Sequence, residues 1–426
     1  MISELDKYIK YNDFIKKKLN NRFVYSKTIK YFKNFNYRIS RTLLFFLKIV
    51  AIIVRPFLKK IEPELCDILV YPNSKNHLTR SKELWQNLES KGYKISYFNA
   101  SQKYLIKYIF SYKIDFDRKI HYKIFFHHAF AKYITQKYKF KLICDYHNFE
   151  ITSALIKKAL NESQKSIFIP HGKIRNSYRH SCFTFDYYLV FGESSIEKIN
   201  ENKLRLGNTK LIKSGSIFIP KDFKLEICRN YKNILFFSNW GISYHTESKL
   251  GFNIVLNWIK EHPEFHLYIR LHPLEDGKYV KEKTKNLRNV FVQDKSLTLK
   301  KSLENISLTI ATGSNASIEA ALLNRPSVVS LDKEYIQDSE DVFESDSNFF
   351  IENYFPKRAR NSKELQQRIE QVYENYDFYL QQCKEYVKYH LEYTVDASLY
   401  TATIIEKIYL NNHHFPYTKV LENFDL

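Results

Sequence analysis

The sequence predicts an α/β protein made of two successive doubly wound units, each a parallel sheet flanked by helices, facing one another across a cleft. Three observations carry that expectation. Short apolar runs recur with helical stretches between them, the rhythm of parallel strands joined by crossovers. The rhythm stops in a polar, charged stretch from Pro220 to Lys232 and then restarts. Several runs end in residues that carry chemistry: Asp145, His171-Gly172 and Arg270, with Ser314 just past another.

Residues 1–62 form a basic arm, whose first sixty residues hold fifteen Lys and Arg against Glu4, Asp6 and Asp13. The arm concentrates the basic excess of a chain whose formal net charge is +21, and such a charge calls for a polyanionic partner or a membrane surface. Within it, Leu43 to Val54 is apolar, interrupted by Lys48 and closed by Arg55-Pro56. A spanning helix needs about 20 apolar residues, and no small-residue cleavage site marks a signal peptide. Two placements stay open: an interfacial segment lying on an anionic leaflet, or a buried helix packed on the catalytic body.

The first unit spans 63–220. Strands are expected at Asp67 to Tyr71, Tyr93 to Phe98, Lys141 to Asp145, Ser166 to Pro170, Tyr187 to Phe191 and Lys210 to Lys213, with helices over Ser81 to Lys91 and Glu150 to Leu160. The second unit, 221–350, repeats the pattern. Its strands are Asn233 to Ser238, His266 to Arg270, Asn289 to Val292, Leu308 to Ala311 and Ser327 to Leu331, with helices over Phe252 to Glu261, over Leu297 to Glu304 and around Ser317. Helices fill 351–426, the first beginning near Asn361 with Glu364 three residues on as a capping pattern; they are expected to pack back on the first unit. Two Rossmann-like domains so arranged place ligands at the carboxyl ends of their strands.

Composition sets outer bounds. With 426 residues and 44% apolar content, the chain is long enough for two domains with large cores. Aromatics reach 16% but accompany abundant Lys, Asn and Ile, so they imply no function. Five scattered cysteines, odd in number and without metal spacing, fit a reducing compartment and argue against disulfides and a zinc site.

Chemistry concentrates in two stretches of the second unit, Ile269-Arg270-Leu271-His272-Pro273 and Gly313-Ser314-Asn315-Ala316-Ser317-Ile318-Glu319-Ala320. The first puts a guanidinium and an imidazole at a strand end; the second puts small hydroxyl residues on a Gly turn that opens a helix. Together they predict a phosphate cradle. Unpaired helix-start N–H groups accept an anion, Ser314 and Ser317 add hydroxyl donors, Arg270 supplies a planar fork, and His272 a donor able to hand a proton to a leaving phosphate. Glu319, in the first turn of that helix, reads as an acid favoured by the helix dipole.

Asp145, Glu150 and His171, all at or near strand ends of the first unit and so across the cleft from the cradle, are the candidate bases. Asp115-Phe116-Asp117 has the form of a metal-binding pair, but Arg118 and Lys119 follow it, and no metal or cofactor is expected. Gly172-Lys173-Ile174-Arg175 offers acceptor or phosphate contacts. The aromatic and basic runs Lys103 to Tyr112 and His121 to Lys139 read as amphipathic helices that face an anionic glycan or lipid rather than nucleic acid.

The order His-Gly after a strand, then Arg-x-His-Pro, then Gly-Ser-x-x-Ser-x-Glu resembles the GT-B glycosyltransferases of bacterial capsule and lipopolysaccharide synthesis. The CMP-sugar branches (sialyl-, polysialyl- and Kdo-transferases) and the CDP-glycerol glycerophosphotransferases are the most similar, over roughly Asp67 to Leu410. The resemblance implies that His272, Pro273, Ser314 and Ser317 hold a nucleotide phosphate and that a carboxylate near Glu319 takes the ribose. Sialyltransferase-like members carry an acidic pair before Gly as base. Glu275-Asp276-Gly277 has those letters, but on the donor side. Glycerophosphotransferase-like members use the His of His-Gly, here His171. The implied activity is inverting, metal-independent transfer of a sugar, first a CMP-activated acidic sugar, to a cell-surface glycan or lipid-linked acceptor. The implied location is cytoplasmic, peripheral on the inner face of the bacterial cytoplasmic membrane. CDP-polyol phosphotransfer, a nucleotide-sugar 2-epimerase and a non-catalytic basic membrane- or nucleic-acid-binding protein are the alternatives.

Overall fold

The computed structural model describes residues 6–11, 13–14, 49–50, 53–57, 62–72, 75–98, 125–147, 151–172, 174, 180–202, 204–238, 242–243, 246–312, 314–330, 353–412 and 414–423. After the short β1 (Glu64–Leu65), β2 (Ile68–Tyr71) leads into α1 (Lys75–Arg80), α2 (Lys82–Glu89) and β3 (Ile95–Tyr97). Then come α3 (Phe125–Lys137), β4 (Tyr138–Lys139), β5 (Leu142–Asp145), α4 (Ile151–Ala159), β6 (Lys165–Phe168), β7 (Tyr187–Val190), α5 (Glu193–Glu201) and β8 (Thr209–Lys213). The second unit follows as β9 (Asn233–Phe237), α6 (Thr246–Glu261), β10 (His266–Arg270), α7 (Lys278–Thr284), β11 (Val290–Val292), α8 (Leu299–Ser302), β12 (Leu308–Ala311), α9 (Ala316–Leu322) and β13 (Ser327–Val329). Helices α10 (Ser362–Glu374), α11 (Tyr376–His390) and α12 (Ala397–Tyr409) and strand β14 (Thr418–Val420) close the chain.

The first sheet has the order β14-β8-β7-β6-β5-β2-β3, parallel except for β14 against β8, and the second has the order β11-β10-β9-β12-β13, parallel throughout. Strands β2, β5, β7, β9 and β12 are buried at every position. That is what a sheet covered by helices on both faces requires, and it explains why these runs are continuously apolar rather than alternating. Strand order reverses between β2 and β5 in the first sheet and between β9 and β12 in the second, so each sheet opens a crevice at those strands' carboxyl ends.

The polar stretch 220–232 contains no helix or strand, yet it is tied to the second unit. The fully buried Arg325 donates to the carbonyls of Leu303 (3.2 Å), Glu226 (3.0 Å) and Leu323 (2.7 Å), and Asn324 Nδ2 donates to Leu225 O (3.1 Å). A buried guanidinium without a carboxylate is satisfied here by backbone oxygens. The capping pattern forms as read: Asn361 Oδ1 accepts the Glu364 N–H (2.9 Å), and Glu364 Oε2 accepts the Arg360 N–H (3.0 Å).

Helix α11 packs against α9 of the second unit and α5 of the first, and α12 packs on α2 of the first. The chain recrosses between them, with Glu392 N–H donating to Phe191 O (2.9 Å). Gly192 and Gly215 admit the crossing backbone. A Cβ at Gly192 would lie 2.7 Å from the His390 carbonyl, and one at Gly215 would collide with Tyr393 O at a φ of +70°.

The basic arm is not one continuous surface segment. Tyr8 and Tyr11, three apart on one helical face, are buried in the first unit's core, Ser181 Oγ donates to Tyr11 Oη (3.3 Å), and Lys7 pairs with Glu422 (3.2 Å). Of the apolar stretch Leu43 to Val54, the described Ile49, Val50 and Ile53 are exposed, and Phe57 beyond it is 84% exposed. Among the described residues no helix is long and apolar enough to cross a membrane.

Gly215→Ala is expected to cost about 2 kcal/mol or more, since it adds a collision to a left-handed backbone. Denaturant titration measures this, and an unchanged midpoint would show that the crossing is not tightly packed.

Candidate functional site at the facing strand ends

The second-unit wall is built at the ends of β9, β10 and β12. His272 N–H donates to Ser238 Oγ (2.9 Å), joining the ends of β10 and β9, and His272 Nδ1 accepts the Leu274 N–H (3.2 Å). That bond places the ring proton on Nε2. Burial lowers the His272 pKa, so at neutral pH the residue is a neutral Nε2–H donor. Pro273 follows in the turn, where Glu275 N–H returns to His272 O (2.9 Å). Glu275-Asp276-Gly277 therefore lies on this second-unit side.

Arg270 Nη1 is anchored to Leu297 O (3.0 Å) and to Ser302 Oγ. Burial lowers its pKa, against the pull of Glu319 and together with repulsion from Arg80, and a guanidinium stays charged throughout. Ser314 Oγ accepts the Ala316 N–H (3.2 Å), and Ser314 O accepts the Ser317 N–H (3.1 Å), shaping the turn into the seven-residue α9. Ser317 is fully buried and its hydroxyl has no partner among the described residues. It faces the protein interior in this arrangement. Gly313 lies outside the described residues.

The first-unit wall gathers imidazoles. Asp145, at the end of β5, accepts at Oδ1 both the backbone N–H (2.8 Å) and Nδ1 (2.9 Å) of His147. Both residues are buried, and the His147 ring lies 4.3 Å from that of Tyr71 at the end of β2. A carboxylate so engaged orients an imidazole and leaves Nε2 as its basic atom; Asp145 does not stand free as a base. His77 of α1 stacks on His171 with ring centroids 5.3 Å apart and is flanked by Phe218 (5.7 Å). Burial, then Arg80 and His147, push the His77 pKa down to about 4. Buried Ser81 fixes α1, accepting from Trp85 Nε1 (3.1 Å) and Tyr146 Oη (3.0 Å) while donating to His77 O (2.8 Å). His171 is exposed, and Glu150 lies outside the described residues.

Among the described residues the walls touch at Gly172 with Asn315 and at Arg80 with Glu319. A Cβ on Gly172 would sit 2.5 Å from Asn315 Nδ2, so the His171-Gly172 turn lies directly against the start of α9. Arg80 Nη2 pairs with Glu319 Oε1 at 3.3 Å. Burial raises the Glu319 pKa, opposed by Arg80 and Arg270. The sequence-predicted residues His171, Asn315 and Glu319 thus meet at one junction. The structure adds His77, Arg80, His147 and Phe218. Three of these had a readable signal, His147 in Asp145-x-His147 at a strand end, and His77 and Arg80 in His77-x-x-Arg80 at helical spacing. Among the described residues no group of three His, Cys, Asp or Glu side chains converges as a metal site, and Asp115-Phe116-Asp117 lies outside them.

Two parallel α/β units opposed at their strand ends define the GT-B fold. No family model matches the sequence, and no curated protein matches it. Solved structures match in fold. UDP-GlcNAc 2-epimerase from Neisseria meningitidis bound to UDP-GlcNAc is 13% identical with a TM-score of 0.53, over 82% of this chain and 100% of that chain. S. aureus MnaA, in its UDP co-structure, is 13% identical with a TM-score of 0.52, over 82% and 97%. A putative UDP-N-acetylglucosamine 2-epimerase from Listeria monocytogenes is 10% identical with a TM-score of 0.52, over 82% and 98%. At these identities the likeness establishes the GT-B fold.

A His77 pKa near 4 in the fold, against about 6.5 unfolded, makes the unfolded chain the better proton binder between those values. Its contribution to stability is complete above about 6.5 and declines as pH falls toward 4. His77→Phe is expected to flatten that decline, as read from denaturant titrations at pH 7 and pH 4.5. Identical pH dependence in both proteins would contradict a neutral, half-buried His77.

Proposed function

We propose that this protein is a glycosyltransferase that takes a nucleotide-activated sugar on its second unit and passes the sugar to an acceptor held on its first. The observation that carries the reading is the opposition of two unlike walls. A guanidinium and a neutral Nε2–H donor end the strands of one, imidazoles end those of the other, and the two meet at Gly172 and Asn315. Fold neighbours described as bound to UDP-GlcNAc and UDP support a nucleotide-sugar donor. The resemblance makes a CMP-activated acidic sugar the first donor to test and a cell-surface glycan or lipid-linked acceptor its recipient.

In this reading the acceptor hydroxyl gives its proton to His171, which stands exposed against the donor wall, while its oxygen attacks the anomeric carbon from the face opposite the phosphate. The carbon–phosphate-oxygen bond breaks and its electron pair leaves with the nucleotide, whose charge His272, Arg270 and the Ser314 turn stabilise. Glu150 remains a candidate base beside His171, whereas Asp145 serves through His147. The placement of His171-Gly172 beside α9 also favours a second reading, phosphopolyol transfer from a CDP-polyol with the same base. The exposed, basic-flanked residues Ile49, Val50, Ile53 and Phe57 support a peripheral site on an anionic membrane.

A nucleotide that binds only the folded protein at about 100 times its Kd adds about 2.7 kcal/mol of apparent stability. CMP, CDP or UDP is expected to raise Tm accordingly, and no shift with any nucleotide would contradict the transferase reading. His272→Ala is expected to weaken that binding. His171→Ala is expected to retain it while lowering kcat by about 100-fold or more in donor screens with mass detection of the product; retained turnover removes His171 as the base.

Replacing the exposed Ile49, Ile53 and Phe57 together by Ser, which leaves the buried Tyr8 and Tyr11 in place, is expected to abolish cosedimentation with phosphatidylserine vesicles. Unchanged cosedimentation would contradict an anchoring role.

A further inference from the structure

Arg80 has no task in the chemistry above, yet it is the side chain by which the first unit reaches the donor wall. It ends α1, which buried Ser81 locks to Trp85 and Tyr146, so its origin is fixed. Its guanidinium lies 4.9 Å from the Phe218 ring centroid, a cation–π seat that holds the fork flat. From there it spans to Glu319, the carboxylate expected to take the donor ribose. The pair is open at one end, with side-chain exposures of 42% for Arg80 and 20% for Glu319, and part-exposed pairs of this kind contribute little to stability.

Arg270 acts electrostatically on the same carboxylate from its anchor on Leu297 and Ser302. Arg80 is the guanidinium in contact with Glu319, and Arg270 acts on that carboxylate only through its field, so the junction of the walls carries two positive charges against one negative where the proposed donor carries its phosphate. An ion pair that only fastened the two units would need no second arginine beside it.

We propose that Arg80 is a donor-phosphate ligand supplied by the first unit, held by Glu319 until the donor's ribose hydroxyls take that carboxylate. The guanidinium then passes to the phosphate, where a charge-assisted, fork-like contact is stronger than the part-exposed pair it leaves. Donor binding thereby draws the two walls together. The inference rests on the reading of the second unit as a nucleotide site and deepens it by naming a ligand from the opposite unit.

Isothermal titration of CMP and UDP, each against its parent nucleoside, separates the possibilities. Arg80→Gln is expected to weaken nucleotide binding about tenfold or more while leaving the nucleoside unchanged, and to reduce the salt dependence of nucleotide binding. Arg80→Lys, which keeps the charge without the fork, is expected to fall between the two and guards against a loss caused by misfolding. Glu319→Gln is expected to weaken nucleoside and nucleotide alike. If Arg80→Gln changes nucleoside and nucleotide equally, or changes neither, Arg80 is only a fastener and the inference is overturned while the nucleotide site stands. If the unaltered protein binds no nucleotide, the transferase reading falls and this inference falls with it.

Discussion

Parallel pairing is the constraint from which the rest of the molecule follows. In a parallel sheet every strand releases its chain at the same edge, so the residues just after β2, β5 and β6, and just after β9, β10 and β12, are gathered in space however far apart they lie in sequence. Burying both faces of each sheet commits the strands to apolar residues. Polar chemistry is therefore displaced to the strand ends, where Asp145, His171, Arg270 and His272 stand. Opposing the two edges turns two rows of such residues into one cleft.

The electrostatics of the walls differ in a way that suits group transfer. The second unit presents charge that does not titrate near neutrality, Arg270, beside a His272 whose proton is fixed on Nε2 by a backbone donor to Nδ1. The first presents imidazoles kept uncharged by burial or oriented by a carboxylate, as in His77 and the Asp145–His147 pair. Arg80 crosses between the two walls to reach Glu319.

The fold was readable wherever a local signal sufficed. Continuous apolar runs such as Asn233 to Phe237 marked buried strands, and Asn361 with Glu364 marked a helix start that forms with its expected hydrogen bonds. The edge strand β14 escaped because Thr418-Lys419-Val420 is short and gains strand character only by pairing with β8. Tyr8 and Tyr11 were read as part of a basic surface arm because charge dominates their surroundings, whereas their burial depends on Ser181 and the core beneath α3. Within the site, motif residues were found and their partners were not. His147 takes its meaning from a carboxylate two residues away, but Arg80 takes its meaning from Glu319, 239 residues distant, a relation that no spacing rule contains. Ser317, which its place in the motif offers as a ligand, is turned by its helical phase into the interior.

The central claim is that the strand ends of the second unit hold the donor phosphate opposite the imidazole wall of the first. A crystal structure of the protein with CMP or UDP bound tests it most directly. The account predicts phosphate oxygens within hydrogen-bond distance of His272 Nε2 and of at least one of Arg270 and Arg80, with the ribose against Glu319. A nucleotide lodged elsewhere, or one whose phosphate lies away from both His272 and the arginines, would contradict it.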